Sequence, residues 1–243
     1  MKRQYPVIIT VRDRLSPLRQ LLEWLEVVGQ HDIWLCDNAS TYGPLVEYLA
    51  VTPYKVVRNT RNLGHRAPWL SGLAAEIGHD KPFIVTDPDV VPTAGCPYDV
   101  LELFEHTLHS HTEFDKVGFS LKIDDLPDHY ANKADVIAWE TQFWTDKFSP
   151  RFYRAPIDTT FAMYRPGLNQ QNGKALRSAP PYEARHLPWY QNSSSLTEED
   201  RYYTAHVDRL ITNWNDQRIP ANVRAKLVNL RTSGEAMKRR EHV

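Results

Sequence analysis

Two carboxylates one residue apart, Asp87 and Asp89, end the apolar run Phe83-Ile84-Val85-Thr86. Like charges at that spacing repel unless a proton or a cation lies between them, and a divalent metal is the simplest way to keep both ionised at neutral pH. Hard oxygen donors suit Mg2+ or Mn2+, and such an ion in turn suits a substrate diphosphate. Asp and Pro also favour turns, so Asp87-Pro88-Asp89 alone reads equally well as a plain turn. What precedes it decides more: a run with β-propensity bounded by Pro82 reads as a strand buried on both faces. Such a strand would deliver both aspartates to its C-terminal edge, where open α/β sheets bind ligands.

The elements that must position that edge alternate in period. Pro6 to Thr10 reads as a strand, followed by a helix with Ser16 as N-cap, Pro17 at N1, leucines at 18, 21, 22 and 25, and Gly29 as its stop. Ile33 to Cys36 is a second strand, Asn38 to Thr41 a turn, Pro44 the start of a short helix, and Tyr54 to Arg58 a third strand. A polar loop from Asn59 to Gly64 and a helix from about Pro68 to Ile77 lead to the aspartates. Strand and helix repeating at this spacing imply parallel strands joined by right-handed crossovers.

The second half changes character. It reads as a helix from about Pro97 to Leu108, a strand Lys116 to Ile123, an acidic loop Asp124 to Asp128, and a helix Asn132 to about Lys147. A strand from about Thr159 to Tyr164 follows Asp158, and the stretch from Arg165 to Ser195 reads largely as loop, containing Arg185-His186-Leu187-Pro188-Trp189-Tyr190. A last helix spans about Leu196 to Trp214, with Thr197 and Asp200 at capping-box spacing. The expected organisation is one domain over 1–243. Residues 1–95 would form a half of nucleotide-binding type, 96–215 a second half, and 216–243 a helical or flexible tail.

Composition narrows the class. With 243 residues and 42% hydrophobic content, the chain can bury a substantial core. Lys+Arg 29 against Asp+Glu 30 leaves a net charge of -1, which gives no global basic field for nucleic acid. Two distant cysteines, Cys36 and Cys96, fit a reducing compartment, and no run near the N-terminus is long enough for a signal peptide or a membrane span. A cytoplasmic protein without a transmembrane segment is expected. The basic residues from Arg224 onward offer peripheral contact with an anionic membrane surface.

Four stretches in order, Pro6 to Arg12, Asp37-Asn38-Ala39-Ser40, Asn62-Leu63-Gly64-His65 and Asp87-Pro88-Asp89, resemble the GT-A-fold glycosyltransferases of the family-2 type. The resemblance covers about the first half of the chain, and four ordered motifs are more specific than any one. It implies an α/β fold of GT-A type, a mostly parallel twisted sheet with flanking helices, made of a Rossmann-like nucleotide half and an acceptor half. It implies a donor that is a nucleotide-diphosphate sugar, UDP-linked by preference, and transfer of a hexose to a hydroxyl acceptor with inversion. The acceptor would be a glycan, a lipid-linked group or a small molecule. Thr10 and Arg12 would lie beside the nucleotide, Asp37 would accept from the base, and Asn62, Gly64 and His65 would line the donor site. Asp89 would bind Mn2+ or Mg2+ with Asp87 near ribose and diphosphate, and His186 resembles a late histidine that many members use as a further metal or diphosphate ligand. The family's Glu-Asp at a helix start, its usual base, has no equivalent before His186; Glu198-Glu199-Asp200 has similar letters but follows it.

Transfer from a nucleotide diphosphate needs a cation for the departing diphosphate and a carboxylate for the acceptor's proton. Asp87, Asp89 and His186 are candidates for the first. Asp158, at the mouth of a strand, ranks above Glu140, set among Trp139, Phe143 and Trp144, for the second. Trp139, Trp189 and Tyr190 are candidates to stack on the acceptor, though such aromatics at helical spacing are more often core. His106, His109 and His111 read as a solvated helix face rather than a zinc site. Two other classes stay open. A nucleotidyltransferase acting on a sugar phosphate would want a Gly-rich loop after the first strand, and Val11 to Ser16 has no glycine. A non-catalytic sugar-binding module would be expected to lack the metal carboxylates.

Overall fold

The computed structural model describes residues 3–158, 160–168, 171–207, 225, 228 and 229. β1 (Val7–Val11) is apolar or β-branched throughout and buried along its length, because both faces of the sheet are covered around it. Val7, Ile9 and Val11 enter one core, and Ile8 enters the other, the two-residue alternation of a pleated strand. α1 (Ser16–Val27) lays Leu18, Leu21, Leu22 and Leu25 into the first core and stops at Gly29, whose φ of 76° suits a residue without a Cβ. β2 (Ile33–Asp37), α2 (Gly43–Val51) and β3 (Lys55–Arg58) follow as expected.

The helix expected over about 68–77 is instead α3 (Ala67–Leu70) and α4 (Leu73–Ile77). Gly72, at φ 83°, breaks it. β4 (Phe83–Thr86) then enters the sheet beside β1, parallel to it, and gives the order β3-β2-β1-β4.

Beyond β4 the topology is mixed. β5 (Val90–Pro92) leaves the main sheet, α5 (Val100–Ser110) crosses over, and β6 (Lys116–Gly118) returns to it. The strand expected over Lys116 to Ile123 divides there, since β7 (Ser120–Leu121) belongs to a second sheet. A Cβ on Gly118 would stand 2.3 Å from the Phe161 carbonyl, so only glycine permits the approach of the neighbouring strand. The long helix expected over 132–147 is α6 (Lys133–Glu140) plus a 3-10 turn, and two strands not foreseen, β8 (Lys147–Ser149) and β9 (Phe152–Arg154), close the far edge.

β10 (Ala162–Tyr164) runs antiparallel between β4 and β6. The stretch expected to be largely loop holds β11 (Ala175–Ser178), β12 (Glu183–His186) and a 3-10 turn over Leu187–Tyr190. Among the described residues the main sheet has nine strands in the order β3-β2-β1-β4-β10-β6-β11-β9-β8, and β12 lies between β5 and β7 in the second sheet. The chain thus has an α/β architecture: parallel through its first half, mixed through its second, and flanked by helices.

α7 (Glu198–His206) begins with the Thr197 and Asp200 capping box. The continuation of this helix toward Trp214, the tail over 216–243 apart from residues 225, 228 and 229, its basic residues and Thr159 lie outside the described residues. No helix among the described residues is long and apolar enough to cross a membrane. Cys36 and Cys96 are both buried free thiols.

Candidate active site

The C-terminal edge of the parallel strands is built by loops tied to one another. Asp37 ends β2, and its Oδ1 accepts from the backbone N–H of Ser40 at 2.9 Å, a local turn that the residue type favours. Asn38 donates from Nδ2 to Asn62 Oδ1 at 2.7 Å and to the Gly64 carbonyl at 3.1 Å. Its Oδ1 accepts from the Leu63 N–H at 2.7 Å. The second and third motifs are therefore one unit. Arg12 donates to the Asn38 and Ala39 carbonyls at 2.8 and 2.9 Å. Asp13, in the left-handed region at φ 52°, receives the N–H groups of Thr41 and Tyr42 on Oδ1 at 2.6 and 2.8 Å. Thr10 and Asp37 are buried in this edge, and His65 is exposed on its rim.

The second cluster forms where β12 pairs antiparallel with β5, His186 opposite Val90. That register brings His186 Nε2 to 3.7 Å from Asp89 Oδ1, and the Leu187 N–H donates to the Asp89 carbonyl at 2.8 Å. The Asp89 carboxylate also faces a buried guanidinium, with Arg14 Nε 3.5 Å from Oδ2. Arg14 lies 3.7 Å from Asp200 and stacks 3.9 Å over the Tyr203 ring, so the first turn of α7 joins the site. Burial lowers the His186 imidazole below its ordinary pKa; Asp89 opposes this and Arg14 reinforces it. Its Nδ1 and the neighbouring Trp189 Nε1 are buried without a hydrogen-bond partner, the two rings 4.7 Å apart.

The Asp89 carboxylate and the imidazole Nε2 that faces it could share a divalent ion that completes its shell with water and substrate phosphate. The expected set of three ligands is not assembled: among the described residues no group of three or more His, Cys, Asp or Glu converges to hold a metal. Asp87, half-exposed just past the end of β4, forms no three-ligand group with Asp89 and His186.

The two candidate bases differ in setting. Asp158 is exposed and is held through Oδ1 by Gln171 Nε2 at 2.9 Å. The segment that carries it is clamped by two buried cations: Arg177 Nε donates to the Pro156 carbonyl at 2.8 Å, and Lys116 Nζ to the Ile157 and Gln171 carbonyls, each at 2.6 Å. Glu140 is buried against Arg177 Nη1 at 2.9 Å, and burial raises its pKa while Arg177 opposes the rise. Such a carboxylate is occupied by its ion pair.

Of the aromatic candidates, Trp189 is buried against His186 rather than open to an acceptor. Tyr190 is half-buried, and its hydroxyl donates to Asp125 Oδ1 at 2.5 Å, with the Lys122 carbonyl 3.2 Å away. Trp139 is half-buried and packs edge-on to Phe143 at 6.5 Å. Sequence reasoning missed Arg14, Asn38, Lys116 and Tyr203. A clue to Arg14 lay in the charge of Arg12-Asp13-Arg14 directly after β1; nothing local marked Lys116 or Tyr203.

No protein-family model matches the chain, and neither does any curated protein. Solved structures do. PcManGT, a mannosyltransferase from Pyrobaculum calidifontis in complex with GDP-Man and Mn2+, matches over 96% of this chain and 79% of its own, at 14% identity and a TM-score of 0.47. HddC from Yersinia pseudotuberculosis, complexed with GMP-PN, matches over 50% of this chain and 65% of its own, at 21% identity and a TM-score of 0.33. Glucosyl-3-phosphoglycerate synthase from Mycobacterium tuberculosis, in complex with phosphoglyceric acid, matches over 66% and 57%, at 13% identity and a TM-score of 0.38. The chain spans less than two thirds of the length of the last two. GT-A-type glycosyltransferases are among the structures to which this chain is similar.

Proposed function

We propose that this chain is a hexosyltransferase that moves a sugar from a nucleotide-diphosphate sugar to a hydroxyl acceptor, with inversion and with the help of Mn2+ or Mg2+. The observation that carries the reading is the pairing of Asp89 with His186, at 3.7 Å, on the ligand edge of the sheet. Asp89 and His186 would hold the cation, which would supply positive charge to the departing diphosphate. Thr10, Arg12, Asp37, Asn62, Gly64 and His65 form the nucleotide side, with Asp37 toward the base and Asp87 toward the ribose and diphosphate. UDP is the first nucleotide to test and GDP the second.

Asp158 takes the acceptor's proton as the acceptor oxygen bonds to the anomeric carbon, and the diphosphate leaves with the electrons of the broken bond. Tyr190 and Trp139 remain on the acceptor side. The nucleotidyltransferase reading has less support. The Leu15 and Ser16 N–H groups that open α1 are taken by the Glu199 carboxylate at 2.6 and 3.1 Å, which leaves them unavailable to a triphosphate.

The test is thermal unfolding with UDP or GDP, with and without Mn2+. A ligand that binds only the folded state raises Tm by mass action, and Asp89→Asn should abolish the metal-dependent part of the rise. Failure of every nucleoside diphosphate to shift Tm with any divalent ion would refute the reading.

A further inference from the structure

Arg14 is 5% exposed, a fixed positive charge taken almost wholly out of water. Its two carboxylate neighbours, Asp89 at 3.5 Å and Asp200 at 3.7 Å, match the charge but stand beyond good hydrogen-bond distance, and Nε has no hydrogen-bond partner at all. Tyr203 fixes the plane of the group from one side, 3.9 Å from its ring. A buried guanidinium with an unfilled donor is a costly arrangement unless an acceptor-rich group completes it. The planar fork of nitrogens matches phosphate oxygens in pairs, and the position, beside Asp89 and His186 at the end of β1, is where a diphosphate would lie.

We propose that Arg14 has two partners of opposite charge: it competes with a divalent cation for Asp89, and it binds the diphosphate of the donor. The proposal rests on the nucleotide-sugar reading for its second half only. When the cation takes Asp89, the guanidinium loses one of its two carboxylates and turns its unfilled N–H toward the diphosphate oxygens, so metal and nucleotide bind in concert. Tyr203 and Asp200, on α7, keep the group in reach throughout. Nothing among the four motifs that mark this edge assigns Arg14 a role.

The experiment measures Mn2+ binding alone, by the loss of its free-ion electron paramagnetic resonance signal, and UDP, GDP and UMP binding by calorimetry, for wild type, Arg14→Gln and Arg14→Lys. With the competing charge removed, Arg14→Gln should bind Mn2+ alone about threefold more tightly or better, from the Coulomb term of one nearby charge. Its preference for the nucleoside diphosphate over UMP should fall about 10- to 100-fold, the fold-change equivalent of a charge-assisted hydrogen bond. Arg14→Lys keeps the charge but not the fork: Mn2+ affinity should stay at the wild-type value while diphosphate affinity falls. If Arg14→Gln binds Mn2+ and nucleoside diphosphate as wild type does, Arg14 is a strut for α7 and the proposal is wrong. Should Arg14→Gln fail to fold, Arg14→Lys decides, and unchanged diphosphate affinity there overturns it. A wild type that binds no nucleoside diphosphate defeats the nucleotide-sugar reading instead, and the Mn2+ arm then still decides the competition for Asp89.

Discussion

Glu140 and Arg177 face each other at 2.9 Å with both side chains buried, and Arg177 passes the constraint on through its bond to the Pro156 carbonyl, two residues before Asp158. The two candidate bases are therefore linked, one as support and the other as the group supported. Glu140→Gln leaves a buried guanidinium without its counter-charge, which costs about 3 to 5 kcal/mol when one partner of such a pair is removed. Chemical denaturation should show that loss. A stable Glu140→Gln protein with normal nucleotide binding and no transfer would make Glu140 the base instead.

Asp158→Asn should behave in the opposite way. The side chain is exposed and Gln171 can still bond the amide, so the melting temperature and nucleotide affinity should stay near wild type. Transfer should slow by about 100- to 10,000-fold, the contribution of a positioned general base. Single-turnover kinetics with donor and acceptor both saturating is the measurement, and unimpaired transfer removes Asp158 from the chemistry.

His186→Ala should weaken Mn2+ and nucleoside diphosphate together, because the ion loses one of its two protein ligands and the phosphates lose the ion. Calorimetric titration of each ligand in the presence of the other checks the coupling. A variant with wild-type Mn2+ dependence would assign His186 to packing against Trp189 alone.

Asp37→Ala is expected to weaken nucleotide binding by about 1.5 to 3 kcal/mol, the value of a hydrogen bond to a charged group. Its second oxygen is the one left for a base N–H, since Oδ1 is used by the Ser40 turn. Equal UDP affinity in variant and wild type would leave Asp37 with the turn as its only role.

Lys116→Met tests the clamp beneath Asp158 and carries a pH signature. Burial lowers this amine from an ordinary 10.5 to about 8, with Arg177 acting in the same direction and Asp158 and Asp115 opposing. Between those values the unfolded chain holds a proton that the folded chain has released, so wild-type stability gains as pH rises from about 8 to 10.5 and loses that gain as pH falls. The Met variant has no such slope. It also leaves the Ile157 and Gln171 carbonyls unpaired, at about 1 to 3 kcal/mol each. Denaturation across that pH window, with the two proteins side by side, shows the difference or its absence.

The parallel half of the fold was legible because its signals are local: apolar runs for β1, β2 and β4, proline and leucine spacing for α1, and Asp-Asn or Asn-Leu-Gly turns between them. The second half hid its strands. β11 contains Arg177 and β12 contains Glu183 and His186, polar residues whose burial is offset by partners distant in sequence, and no periodicity reports such a partner. Ser16 was a reasonable N-cap for α1, yet Glu199 does that work from the other end of the chain. The site divides in the same way. Asp37, Asn62 and Asp89 announce themselves by type and turn chemistry, whereas the contact of Asp89 with Arg14 exists only once β5, β12 and α7 have met.

That long-range cap sets an order of events in synthesis. The Glu199 carboxylate and the Leu15 and Ser16 amides it binds are separated by 184 and 183 positions. A nascent chain can pair β1 with β2 early, but the amides that open its first helix go without this partner until the ribosome has delivered α7. Shortened versions that end before Glu198 lose more than a peripheral helix: they uncap α1 and release Arg14 at once. The parallel half, first to be translated, is the last to be finished.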